Sequence, residues 1–468
     1  MQRKWKVLLL VSVGSFMAFL DAPVLSVAFP ALKETFADAG ATTLAWTLDA
    51  YFIGFAAFLV AAGKAADRYG RKQVFVTGMW LFSVASLACA LAPSVGTLIA
   101  ARALQAVGAA MVVPAGQGLM LAEFPPQDRK TAIGVLAALV GLGTAVAPTI
   151  GGVLVDGVGW RWIFAVNVAV GLAGIAYARW LLVTEPKTAR TLAERPDALG
   201  AAMQALSLGL LVYAILKCAH WGFDDARTLV LFALAVVLGA VFLRRSQRHP
   251  APVVELGLFK DRTFAVANAG SVFLGLGLYA MAINSVLYFT SVWGWTILAT
   301  GLAFIPGALA SALTGRPAGR LADRHGPRLL SAFGALLAGT GVLLIAVSVT
   351  DDANFAADYL PGQLLYAVGV VAGMTGLVGA AITAAPAAQF ALASGINSAL
   401  RQVGGAIGVA LVAAIVGDAV GAPAAGPGQA AWIVAGVSLL VSGAIAFLMR
   451  PAAAAAAAPV LVSAEERA

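Results

Sequence analysis

GKAADRYGRKQ, residues 63–73, returns as GRLADRHGPRL at residues 319–329. Five of the eleven positions are identical, and basic residues match at Lys64/Arg320 and Lys72/Arg328. A repeat this far apart in one chain implies two homologous halves. Each copy follows an apolar run long enough to cross a bilayer, so the repeated unit is membrane helices plus a basic connection.

The surrounding composition agrees. The chain has 468 residues, 61% of them hydrophobic and only 11% charged, with a mean hydropathy of +0.91. That is far more apolar than a soluble protein of this length. Fourteen apolar segments are expected to span as helices, among them residues 8–29, 44–62 and 296–315. The start MQRKWKVLLLVSVGSFMAFL could pass for a secretory signal, but its apolar character continues to Phe29, so it reads as an uncleaved first span. Cys89 and Cys218 both fall inside spans and imply no disulfide framework.

The net charge of +8 does not point to nucleic acid. On the fourteen-span plan, twenty-five of the thirty Lys and Arg fall on one side, with Lys33, Arg161 and Arg227 on the other and Arg102 and Lys217 within spans. This is the positive-inside pattern and puts both termini in the cytoplasm. The expected organisation is a six-helix bundle over 1–186, two inserted helices with cytoplasmic linkers over 187–262, a second six-helix bundle over 263–450 and a disordered tail over 451–468. The fold class is all-α membrane protein.

Ionisable residues inside spans are costly and are read as functional. Asp21 lies in FLDAPVLSVAFPAL, roughly 13 Å below Pro30, and Asp49 in WTLDAYFIGF, roughly 8 Å below the outer surface, at 1.5 Å per residue. Arg102 sits at a similar depth in LIAARALQAVGAAMVVPAG. Two carboxyls and one guanidinium of the N-terminal bundle are expected to meet. Burial favours the neutral form of a carboxyl and a nearby arginine the charged form, a competition suited to carrying protons. Lys217 and His220, near an outer end, are expected to snorkel, and Asp156 and Asp418 to be interfacial.

In the fifth span, VGLGTAVAPTIGG follows a stripe in which Gly134, Ala138, Gly141, Ala145, Pro148 and Gly152 alternate steps of four and three, a face that lets a neighbouring helix approach closely. The ninth span offers Tyr279, Asn284 and Tyr288, apolar bodies with polar handles suited, with Gln105, to a lipophilic ligand.

The repeated loop resembles the signature of the major facilitator superfamily, and the fourteen spans with an inserted pair resemble its drug:proton antiporter subfamily, quaternary-ammonium exporters included. The resemblance covers nearly the whole chain apart from the alanine-rich tail. It implies a gating role for Gly63, Asp67, Arg68, Gly70, Arg71, Asp323 and Arg324, with Asp67 against the N-terminus of the thirteenth span. It also implies an antiporter motif at Gly134, Gly143, Pro148, Gly151 and Gly152, with Ala147 departing from the usual glycine, and proton coupling through Asp21, Asp49 and Arg102. The first-span match departs at Pro23 and Ser26, and Thr290 stands where glutamine is frequent.

The expected function is proton-coupled efflux of lipophilic drugs or antibiotics, cationic ones among them, across a bacterial plasma membrane by a monomer. The proton is the coupling ion, and no cofactor or metal is expected. A proton-coupled importer on the same fold and a membrane ligand sensor are the alternatives. No G-x-x-x-x-G-K-[ST] loop supports an ATP-driven pump, and His220, His249 and His325 have no ligand spacing that would support an enzyme.

Overall fold

The computed structural model describes residues 2–183, 197–222, 224–416 and 425–451. The disordered tail expected over 451–468 lies, from residue 452 onward, outside the described residues, as does Asp418. The side chains of Pro23, Ser26, Ala145, Pro148, Asp156 and His220 are outside them too.

All described elements are helical. In chain order they are α1 (Arg3–Val27), α2 (Phe29–Thr35), α3 (Ala41–Tyr69), α4 (Arg71–Ala90), α5 (Val95–Glu123), α6 (Arg129–Val158), α7 (Arg161–Leu181), α8 (Ala198–Trp221), α9 (Ala226–Arg248), α10 (Arg262–Ser291), α11 (Ile297–Ala303), α12 (Ile305–His325), α13 (Pro327–Ser348), α14 (Leu360–Thr383), α15 (Phe390–Val416) and α16 (Ala425–Ala446). Lipid offers the backbone no hydrogen bonds, so spans satisfy their own polar groups as helices. Where ends meet water the sequence supplies caps. Ser94 and Thr97 form a reciprocal capping box on α5, and Asp261 caps α10 through the Phe264 amide at 2.9 Å.

Twelve described helical stretches are long and apolar enough to cross a membrane. Two further long helices, α1 with 25 residues and α6 with 30, pack among them. Two expectations need correction. The spans placed at 44–62 and 296–315 run on to Tyr69 and His325. Ala65, Ala66 and Ala322 favour helix as strongly as any residue, and the charged side chains beside them do not break it. The repeated stretch is therefore not a loop but two helix ends joined by one turning glycine. Gly70 and Gly326 have φ of +103° and +83°, where a side chain would be strained.

In the N-terminal half α1, α3, α4, α5, α6 and α7 pack together; in the C-terminal half α10, α12, α13, α14, α15 and α16 do so. The halves meet along two seams, α3 on α15 and α6 on α12. The α8–α9 pair lies beside α3 and α15, with Val212, Ile215 and Cys218 against Ala56, Ala406 and Ala410.

Both seams are built on small residues. A Cβ on Gly63 would collide with the Ala391 carbonyl, and one on Gly395 with that of Leu59. A Cβ on Gly319 would collide with Thr131 and Lys130 backbone, and one on Gly134 with the Gly315 carbonyl. Van der Waals packing, not a hydrophobic driving force, holds helices in lipid, and it requires this closeness.

Candidate functional site

Asp21 is fully buried on α1, bonded directly from two other helices, while two more hold its partners. Arg102 of α5 is ion-paired to its Oδ2 through Nη1. Gln105 Nε2, one turn on, donates to Oδ1 at 3.0 Å, and Asn167 Nδ2 of α7 donates to the same oxygen at 2.9 Å. Ser86 of α4 accepts from Gln105 at 2.8 Å. Arg102, fully buried, also donates to the Thr47 carbonyl of α3 at 3.0 Å and lies 4.3 Å from the Tyr51 ring centroid. Gln105, expected in a substrate cavity, is thus part of the carboxylate's shell.

A buried ion pair is weak evidence of stability because desolvation offsets much of its Coulomb gain, but removing one partner leaves a bare charge costing about 3–5 kcal/mol. Asn167 and Ser86 were missed in the sequence; an asparagine and a serine inside apolar spans were their only signal.

Asp49 does not join this group. Thr47 and Tyr51, about one turn apart, face Arg102; Asp49 between them points to the other side of α3, at 100° per residue. It meets Lys217 of α8, whose Nζ lies 2.7 Å from Oδ2 and 5.2 Å from the Trp46 ring. Lys217 does not snorkel: it is 7% exposed.

The repeated carboxylates occupy matching places. Asp67, at the end of α3, accepts the amides of Leu392 at 2.7 Å and Ala391 at 3.3 Å, at the start of α15. Asp323, at the end of α12, accepts those of Thr131 at 2.8 Å and Lys130 at 3.1 Å, at the start of α6, and the Thr131 hydroxyl at 2.7 Å. Each carboxylate of one half thus meets the positive end of a helix of the other. Arg71 is buried, donates from Nε to Asp67 at 2.9 Å, and bonds the Gly118 carbonyl at 3.2 Å. Arg68 lies beside the Tyr69 ring, and Arg324 is exposed.

Two cross-seam contacts were not foreseen. Ser394 of α15 donates to Gln117 of α5 at 2.6 Å. Glu255, in the connection after α9, accepts from Lys64 of α3 at 3.0 Å and from Gln389, just before α15, at 2.6 Å. Both seams are closed at this basic end.

The antiporter-motif glycines divide between two faces of α6. Gly134 meets α12, whereas Gly143 and Gly151 meet Phe16 and Val24 of α1. Gly141 and Gly152, further along toward the outer end, have nothing within 4 Å of an added Cβ. Of the described stripe positions, Gly134 and Ala138 pack against Gly315 of α12.

The ninth-span candidates make bonds within the C-terminal half. Tyr279 donates to Gln402 at 2.6 Å. Asn284, 1% exposed, donates to the Gly428 carbonyl at 2.8 Å. Tyr288, 2% exposed, donates to the Thr350 carbonyl and packs 4.8 Å from the Trp432 ring. Asn284 and Tyr288 are therefore buried in the packing of the C-terminal half. Among the described residues no cluster of His, Cys, Asp and Glu could hold a metal ion.

Asp197, ahead of α8, caps that helix through the Gly200 amide at 2.8 Å and pairs with Arg245 of α9 at 2.8 Å. Burial alone would raise this carboxyl. The Gly200 amide, Arg245 and the nearby His249 outweigh that and hold its pKa below the ordinary aspartate value.

A bundle of membrane-spanning helices in two halves, sealed at one end by reciprocal carboxylate contacts and holding a buried ion pair, defines a multi-pass membrane transporter. The model of the Major Facilitator Superfamily matches residues 11–256, and the chain belongs to that family of transporters, not to an enzyme family. It is 35% identical over 410 residues to the multidrug resistance protein Stp of Mycobacterium tuberculosis (strain CDC 1551 / Oshkosh), covering 87% of this chain and 75% of that protein. It is 31% identical over 425 residues to the tetracenomycin C resistance and export protein of Streptomyces glaucescens, covering 90% and 77%. The crystal structure of the human organic anion transporter MFSD10 (TETRAN) shares the fold, with a TM-score of 0.67 at 16% identity over 95% of this chain and 100% of that one.

Proposed function

We propose that this chain exports lipophilic small molecules in exchange for protons, with Asp21 as the proton site and Arg102 as the group that moves against it. The observation that carries the reading is the fully buried Asp21, bonded by Arg102, Gln105 and Asn167 from two other helices. With Arg102 in place the carboxylate is matched. When rocking draws Arg102 away, the bare charge takes up a proton, and the return releases it. Each proton moving down the membrane potential supplies about 2.3 kcal/mol per 100 mV.

The reading includes fourteen spans, both termini cytoplasmic, bundles over 1–186 and 263–450 with the pair in 187–262 between them, and a monomer. The direction of transport follows the relatives, which are named for drug resistance and export. The carboxylate contacts that close both seams at the basic end support an outward-facing arrangement. Lys217 balances the charge of Asp49, so the proposal rests on no attraction of cations by that carboxyl.

The test uses inverted vesicles carrying a proton gradient. Native protein is expected to dissipate the gradient when a transported compound is added, and Asp21→Asn to fail with the same compound. Equal behaviour of the two would remove Asp21 from the proton site. No response to any compound in a panel of lipophilic antibiotics would refute export.

A further inference from the structure

Beside the α6–α12 seam lies a cavity of about 450 Å³, lined by Trp5 of α1, Val135, Ala138 and Leu139 of α6, and Ala312 and Arg316 of α12. We propose that it is a binding site for an anionic phospholipid of the inner leaflet, with the phosphate on Arg316 and an acyl chain against α6. The inference is independent of what the protein transports.

Three observations converge on it. The first is charge. Arg316 is exposed, and among the described residues it meets no carboxylate; its guanidinium lies 5.9 Å from the Trp5 ring centroid. Its basic neighbours on α1 are matched, Arg3 to Glu123 and Lys4 to Asp128, each at 2.9 Å. Arginine presents a planar fork of donors suited to a phosphate.

The second is level. Arg316 lies nine residues before the end of α12, and Trp5 lies in the first turn of α1. Both belong to the basic end, where the hydrocarbon gives way to headgroups and where tryptophan is favoured. The third is the wall. Val135, Ala138, Leu139 and Ala312 offer no polar side-chain atom, and Leu313, next along α12, is 78% exposed, so this flank faces lipid. A free phosphate has no use for such a surface, whereas an acyl chain does.

The site touches both halves of the molecule, next to the contact between Gly134 and Gly315. A lipid held there bridges α6 and α12 and favours the closed seam.

The test is native mass spectrometry of the purified full-length chain released from detergent with phosphatidylglycerol or phosphatidylcholine added. Native protein is expected to retain one phosphatidylglycerol in preference to phosphatidylcholine, and Arg316→Gln to lower that occupancy about tenfold, the loss of one charge-assisted bond. Ala312→Leu, which narrows the cavity and leaves Arg316 in place, is expected to lower it as well. Equal retention of both lipids, or occupancy unchanged in both variants, overturns the proposal. Competition by glycerophosphate as effective as by the whole lipid also overturns it, in favour of a free-anion site.

Discussion

Asp67 and Asp323 are counterparts: each ends a helix of its own half and accepts two backbone amides at the start of a helix of the other, Ala391 and Leu392 for the first and Lys130 and Thr131 for the second. Closure of this basic end therefore has two matching fasteners, one on each seam. Neutralising either weakens a charge-to-dipole contact of about 0.3–1 kcal/mol, up to ~2 when partly buried. Asp67→Asn and Asp323→Asn are each expected to shift the population of the closed state about two- to thirtyfold toward open, and the pair more than either. Distances between spin labels at the cytoplasmic ends of α3 and α15 would show this. Unchanged distance distributions in the double variant would remove both residues from the gate.

The glycines beneath these carboxylates set how close the halves come. Gly63→Ala and Gly319→Ala place a methyl against backbone, which cannot yield like a flexible side chain, so both are expected to prevent full closure and abolish transport at normal expression. Gly141→Ala and Gly152→Ala, with open space around the added methyl, are expected to retain most activity. Transport assays on the four variants at matched expression decide it. Equal loss at all four would deny the seam its special role.

For Asp49 and Lys217 the expectation concerns stability. The pair is mostly buried, so removing one partner strands the other. Lys217→Met and Asp49→Asn are each expected to lower the thermal midpoint of the purified protein, and the double variant to recover much of the loss. Additive losses would mean that the two residues do not act as a pair.

At Asp197 the linkage runs with pH. Its folded pKa lies below the unfolded value, so its contribution is fully present above the unfolded value, about 3.9, and is lost as pH falls through the folded value. Asp197→Ala should cost about 1 kcal/mol as a lost cap at pH 7. The gap between native and variant thermal midpoints should narrow as pH is lowered toward 3. A gap independent of pH would exclude the charge of Asp197 as its source.

The membrane class, the all-helical architecture and the two homologous halves were legible because apolar runs and a repeated motif are local signals. The burial of Asp21 was legible for the same reason, a carboxyl being conspicuous between Leu20 and Ala22. Partners were not. Asp49 was expected at Arg102 because depth along a helix can be counted, while the direction a residue faces depends on which neighbour α3 meets. The ends of α3 and α12 were misjudged because charge marks where lipid stops, not where a helix stops. Glu255, Gln117 and Ser394 carry no pattern at all and become visible only when distant segments are brought together.

Glu255 touches Lys64 on one side and Gln389 on the other. A fold enlarged by a pair of helices would be expected to treat them as dispensable cargo. Here the segment that returns the chain from that pair crosses the joint between the halves, so deleting α8 and α9 with their connection also removes a brace. The connection is thereby a mechanical part of the joint, and a chain shortened at this point would need another brace between Lys64 and Gln389.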